Sequence, residues 1–167
     1  MPDTVEVAEA TDDDVAAISD FIREAWRQAG PGAAGFAGAT DEVIAEISTP
    51  AAIQARIGGP ERRMFLARAD HTVVGFSASR RLTTQTVELA GIVVLQSMVG
   101  RGIGRPLVEV AVESARANGF KRMTVSTESD NQRAIGFYQA RGFEIRGRST
   151  EDVEGAQVAV VELQLQL

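Results

Sequence analysis

The 167 residues predict one α/β domain: a central mixed sheet with helices on both faces. Three observations carry that prediction. Apolar residues recur at helical spacing up to about residue 57, and from Arg62 the period becomes two-fold. Two apolar runs, TVELAGIVVL and RMTVSTE, flank a helical pattern, and that order makes them parallel neighbours joined by a right-handed crossover. The closing AQVAVVELQLQL alternates cleanly, as a half-buried strand does.

The elements follow in order. TVEVAEA alternates and forms a first strand, leading to Thr11 as N-cap and Asp12, Asp13 and Asp14 in the first helical turn. Val15, Ile18, Phe21, Ile22 and Ala25 line one face of the helix that follows, with Trp26 beside them as core or pocket wall. Residues 28–40, QAGPGAAGFAGAT, hold too much Gly and Ala for a regular element and form a loop. Short helices are expected over 41–47 and from Pro50 to about Ile57, where GGP ends the pattern. MFLARA and TVVGFSAS form a hairpin about Asp70-His71, and the long strand TVELAGIVVL completes a meander. Leu107, Val110, Ala111, Ser114 and Ala115 mark a helix closed by Asn118-Gly119. A strand RMTVSTE, a helix over 131–141, a strand GFEIRG and the final strand complete the chain, with no internal repeat.

Composition excludes several chemistries. There is no cysteine, hence no disulfide, no thiolate metal site and no cysteine nucleophile. The lone histidine, His71, falls in a turn without carboxylate or cysteine companions, so no metal site is expected. No run reaches the roughly 18 apolar residues of a membrane span, and the opening MPDTVEVAEATDDD is acidic, so a soluble cytoplasmic protein is expected, without membrane partners. The net charge is −6, with 11 acids against 3 bases in residues 1–60 and 12 against 14 in the remainder. Such a chain lacks the broad basic face that nucleic acid requires. Its acidic first third instead suggests a cationic ligand, with Asp20 and Glu24 as the acids to test.

The stretch GRGIGRPLVE, Gly100 to Glu109, carries the main chemical signal. Glycines at 100, 102 and 104 let successive N–H groups converge, the next helix adds its positive end, and Arg101 and Arg105 flank the turn. This is an anion site suited to diphosphate. A Walker loop would need Lys and then Ser or Thr after the last glycine, where Arg105 and Pro106 stand. A dinucleotide loop would need its third glycine one residue later.

ELAGIVVLQSMVGRGIGRPLVE and STESDNQRAIGFYQARGFEIRGR resemble, in the right order, the two signatures of the Gcn5-related N-acetyltransferase (GNAT) family. The first is similar to that family's fourth strand, acyl-coenzyme A diphosphate loop and following helix. The second is similar to its Asn-x-x-Ala-Ile-x-Phe-Tyr helix and Gly-Phe. The resemblance spans Glu88 to Arg148. It implies a single mostly antiparallel sheet of about seven strands, split between the fourth and fifth, with an acyl-coenzyme A core over 86–148 and acceptor-side helices over 15–60. Val99 and Gln96 depart from the Gln or Arg and the Pro usual at those places, and Pro106 lacks an N–H.

The resemblance also implies roles. Acetyl-CoA is the expected cosubstrate, and the acceptor is an amine of a small molecule or peptide. Gly100, Arg101, Gly102, Ile103, Gly104 and Arg105 would cradle the diphosphate. The main chain of Ile92, Val93 and Val94 would pair with the pantetheine arm, and an N–H near Val94 or Leu95 would polarise the thioester carbonyl. Asn131 would contact that arm, while Arg133 and Arg141 would meet the nucleotide phosphate. Tyr138 would be the general acid, suited by a resting pKa of about 10, with Phe137 filling the core beside it. Glu88 would be the base, with Glu128 and the acids of the first helix as other candidates. With no cysteine and no serine–histidine pair, direct attack within a ternary complex is expected rather than an acetyl-enzyme. A catalytically silent acyl-coenzyme A sensor and a dinucleotide oxidoreductase are the competing classes. The last strand either pairs with a second copy, giving a homodimer, or finishes its own sheet.

Overall fold

The computed structural model describes residues 4–29, 39–153 and 155–167. Most of the Gly/Ala-rich loop assigned to 28–40 lies outside the described residues. Strand β1 (Val5–Glu9) leads through a 3-10 turn (Asp12–Asp14) into α1 (Val15–Ala29); α2 (Asp41–Ile47) and α3 (Pro50–Gln54) follow. The meander is β2 (Arg62–Ala69), β3 (Thr72–Arg81) and β4 (Thr86–Val94). A 3-10 turn (Gln96–Met98) and the glycine loop precede α4 (Gly104–Ala117), then β5 (Arg122–Glu128), α5 (Gln132–Gln139), β6 (Glu144–Val153) and β7 (Ala156–Gln166).

The strands form one sheet in the order β1-β2-β3-β4-β5-β7-β6. Only β4 and β5 are parallel, and they pair over just three residues, Thr86 to Glu88 against Arg122 to Thr124. Beyond Glu88 the two strands part, while β4 stays paired with β3 as far as Val94. The sheet is therefore split where the fourth and fifth strands meet.

Local chemistry accounts for the starts of the helices. Thr11 N–H donates to Asp14 Oδ2 at 2.8 Å, and Arg68 of β2 forms an ion pair with Asp14, fixing the entry to α1. The hydroxyls of Thr40 and Thr49 accept from Val43 and Ala52 at the starts of α2 and α3. The β2–β3 turn is a two-residue one, with Asp70 at φ 47° and His71 at φ 66°.

Ile18, Phe21, Ile22 and Ala25 of α1 are buried against the sheet, with the Phe21 ring edge-on to Phe76 of β3 at 5.5 Å. Burying a side chain of that size contributes roughly 1.5–3 kcal/mol. The other face takes α4. There the buried Ser77 hydroxyl donates to the Leu107 carbonyl at 3.0 Å, and Gly75 admits the helix closely, since a Cβ on it would lie 3.0 Å from the Val93 carbonyl and 3.2 Å from Leu107. This approach sets the start of α4 beside the end of β4.

Two expectations change. Helix α3 ends at Gln54 rather than near Ile57, because the chain tightens there into turn bonds such as Arg56 N–H to the Ile53 carbonyl. Strand β6 runs on to Val153, well past GFEIRG; its outer half, RSTEDV, lacks alternation but is held by register with β7 from Arg148↔Val161 to Val153↔Ala156. Of the two roles left open for the last strand, most of the backbone of β7 finishes its own sheet, with β5 on one edge from Val160 to Gln166 and β6 on the other. No helix among the described residues is long and apolar enough to cross a membrane.

Candidate active site

The glycine loop takes its shape from two residues. Gly100 (φ 87°) and Gly102 (φ 78°) adopt the left-handed backbone, and a Cβ on either would meet nothing within 4 Å, so both face open space. Gly104 differs. It opens α4, and a Cβ there would lie 3.3 Å from the Phe137 ring, so its small size serves packing against α5. Pro106 sits in the first turn of α4, where helix N–H groups have no intrahelical partner in any case.

Beside this loop lies a cleft of about 510 Å³. Ile92, Val94, Gly100, Gly102, Ile103, Gly104, Arg105, Asn131 and Tyr138 line it, as the sequence led us to expect. Other expected residues fall elsewhere. The Val93 side chain turns to a second cavity on the other face of β4, leaving only its backbone on this edge. Arg101 and Glu88 line neither space. Arg105 bonds Glu109 one turn along at 2.8 Å. Among the described residues no group of three or more His, Cys, Asp or Glu is arranged to hold a metal ion.

Two neighbours in α5 both border this cleft but differ from expectation in burial. Phe137, expected in the core, is only partly buried; it lines the cleft, packs on Gly104 and carries the Arg141 guanidinium 3.7 Å above its ring. Tyr138 is the more buried of the two, ringed edge-on by Phe137 and Phe143 at 5.2 and 5.5 Å. Burial pushes its phenol up to about 12, against the opposing pull of the Arg141 charge. The phenol therefore keeps its proton throughout the neutral range.

Asn131 caps α5, its Oδ1 accepting from Ala134 N–H at 3.1 Å, so Nδ2 is the end left to donate into the cleft. Arg133 and Arg141 both line the cleft, as expected of phosphate partners, although Arg141 also donates to the Phe137 carbonyl at 2.7 Å. Gln96 and Val99, the two positions that depart from the family's usual residues, line it too, as do Met98 and Ala29, which no local signal in the sequence marks.

On the other face of β4 is a cavity of about 330 Å³, floored by Ile22, Met64, Phe76 and Val93. The acids of α1 are not there. Glu24 is held at about 2 by hydrogen bonds from Arg27 and Gln28, Asp20 is exposed, and neither lines this cavity. The expectation of a cationic ligand, which rested on those acids, is thus corrected; the charged residues that line the cavity are Arg56, Arg62 and Arg80.

The arrangement suits acyl-coenzyme A. Two left-handed glycines and a helix start offer converging N–H groups to diphosphate. From Leu89 to Val94 one edge of β4 pairs with no strand among the described residues, and so offers backbone groups to an extended amide-bearing arm.

The matches span between 25% and 58% of the length of the curated relatives. An uncharacterized N-acetyltransferase of Mycobacterium tuberculosis is 32% identical over 91 residues, 54% of this chain and 58% of that protein. Solved structures share the fold throughout. An acetyltransferase of the GNAT family from Streptococcus pneumoniae superposes with a TM-score of 0.76 at 20% identity, covering 98% of this chain and 99% of that one. An N-acetyltransferase from Thermoplasma acidophilum, solved in complex with coenzyme A, gives 0.69 at 18% identity with the same coverage, 98% and 99%. The family model for the acetyltransferase (GNAT) family matches residues 17–143, from within α1 through the glycine loop to the Gly-Phe after α5. With the split between β4 and β5, the glycine loop and the tyrosine of α5 all inside that span, the chain belongs to the GNAT acetyltransferase family.

Proposed function

We propose that this chain is an acetyl-CoA-dependent N-acetyltransferase that moves the acetyl group directly to an amine of a small molecule or peptide within a ternary complex. One observation carries the reading: the unpaired edge of β4, the left-handed glycines and Tyr138 border a single cleft. Acetyl-CoA supplies the activated thioester. Backbone N–H groups of the glycine loop and the start of α4 hold its diphosphate, with Arg133 and Arg141 near the nucleotide phosphate. The free edge of β4 about Ile92 to Val94 bonds the pantetheine arm, Asn131 Nδ2 adds a donor, and an N–H at Val94 or Leu95 faces the carbonyl oxygen as charge develops there.

The incoming amine reaches the thioester from the cavity on the other face of β4. Glu88 takes its proton through a water molecule: Arg80 bonds Oε2, and Oε1 remains for that water. The C–N bond forms as the C–S bond breaks, and Tyr138 donates its proton to the departing sulfur. No covalent enzyme intermediate is required. The activity belongs in the cytoplasm, where acyl-coenzyme A is available.

Thermal melting with acetyl-CoA, coenzyme A and NAD tests the reading. Saturation at 100 times Kd raises stability by about 2.7 kcal/mol, and we expect shifts with the two coenzyme A forms only, followed by thiol release across an amine panel. No shift with either form rejects it. A shift without turnover of any amine leaves a silent sensor instead.

A further inference from the structure

Resting on the acetyltransferase reading, the cavity opposite the coenzyme cleft names the class of acceptor. Its charge comes from strand register. Arg62 of β2 stands directly opposite Arg80 of β3, and Arg80 directly opposite Glu88 of β4, so the three side chains form one row across the same face. Arg56, from the turn after α3, joins them. Three guanidinium groups thus meet one carboxylate, and Glu88 is already bonded to Arg80.

Like charges set directly opposite on adjacent strands are unfavourable. Among the described residues neither Arg56 nor Arg62 has a side-chain hydrogen bond or ion pair with an acid; the nearest in sequence, Glu61, bonds Arg81. Burial, and then the charge of Arg62, weaken the hold of Arg56 on its proton, which places Arg56 half out of water beside a like charge. Residues 30–38, GPGAAGFAG, carry no charge that could balance them. Apart from Ser79 the rest of the lining is apolar, chiefly Ile22, Met64, Phe76 and Val93, and the volume of about 330 Å³ lies in the small-molecule range.

We propose that the acceptor is a small amine bearing a carboxylate and an apolar side chain, its carboxylate held by Arg56 and Arg62 and its side chain on the apolar floor. Arg80, kept by Glu88, supplies the third positive charge of the row. The guanidinium fork matches a carboxylate in two parallel hydrogen bonds. Polyamines and other cationic amines meet repulsion there.

The test compares leucine and phenylalanine with their carboxamides, with the decarboxylated amines, with the 1-aminoalkyl phosphonates and with spermidine. Thiol release from acetyl-CoA reports kcat/KM. In parallel, equilibrium binding of N-acetyl-leucine and N-acetyl-leucinamide in the presence of coenzyme A reads the site without turnover. We expect the carboxylates to exceed the carboxamides and decarboxylated amines by about 100-fold, and Arg56→Gln or Arg62→Gln to remove about 10-fold or more of that preference, with KM carrying most of the change. Both variants should still melt higher with acetyl-CoA, which establishes that they are folded and hold the coenzyme.

Neutral amines or spermidine matching the carboxylates would overturn the proposal while leaving the acetyltransferase reading intact. Equal or absent binding of the two acetylated products would also overturn it, and phosphonates preferred over carboxylates would assign the arginines to phosphate. Loss of the acetyl-CoA shift in the wild-type protein would remove the underlying reading and this proposal with it.

Discussion

Arg80 and Glu88 stand opposite one another on β3 and β4, and Arg80 Nε donates to Glu88 Oε2. Glu88 is also the last residue of β4 to pair with β5, opposite Thr124, so this ion pair sits at the point from which the sheet opens. If Glu88 acts as the proposed base, it is anchored at that opening.

On the proposed reading, Glu88→Gln should lower kcat by about 100-fold or more, with acetyl-CoA binding retained. The stability cost should stay within about 1 kcal/mol, because Arg80 is half exposed and solvent screens the pair. A variant with wild-type kcat would move the base to Glu128 or to bulk water.

Tyr138→Phe should keep the melting shift with acetyl-CoA and lose about 100-fold or more in kcat. A loss confined to KM would contradict a proton-donating role.

Tyr138 also makes stability depend on pH at the alkaline end. Its folded pKa, raised to about 12, exceeds the unfolded value of about 10. The stabilisation from keeping the phenol neutral is fully present below about pH 10 and is lost as pH rises through about 12. Urea melts from pH 9 to 12 should show this decline, and Tyr138→Phe should flatten it; an equal decline in both proteins would assign it to other groups.

Gly102→Val forces a β-branched side chain into φ 78° and should cost about 1–2 kcal/mol, together with most of the acetyl-CoA melting shift. Gly104→Val acts differently. It presses on the Phe137 ring, so Phe137→Ala in the same chain should restore part of its lost stability, whereas it should do nothing for Gly102→Val. Equal rescue of both would show that the two glycines serve one purpose.

In the β2–β3 turn, His71→Gly relieves a left-handed backbone and should stabilise the protein by about 0.5–1 kcal/mol, with activity unchanged. Destabilisation on chemical denaturation would mean that the imidazole makes a contact worth more than the backbone strain.

How far the sequence could be read depended on whether the deciding interaction was local. The Asp70-His71 turn, the Asn131 cap and the left-handed glycines rest on near neighbours in the chain, and all were foreseeable. The outer half of β6 was not, because RSTEDV is held by register with β7 and has no alternation of its own. Phe137 is less buried than expected and Tyr138 more so, because burial at adjacent helix positions depends on what packs opposite, here Gly104 and Phe143. The charge of the second cavity was hidden for the same reason. Counting acids in residues 1–60 suggested a cationic ligand, yet Arg62, Arg80 and Glu88 meet only through the pairing of three strands.

The three-residue pairing of β4 with β5 has one more consequence. An ordinary open sheet exposes backbone at its two rims; this one exposes it in the middle as well, along a strand as apolar as Leu89 to Val94. Such an edge is a template for another chain. Whatever extended molecule fills the notch, it shields the protein from its own kind, so a preparation stripped of ligand should self-associate at concentrations where the saturated protein stays dispersed.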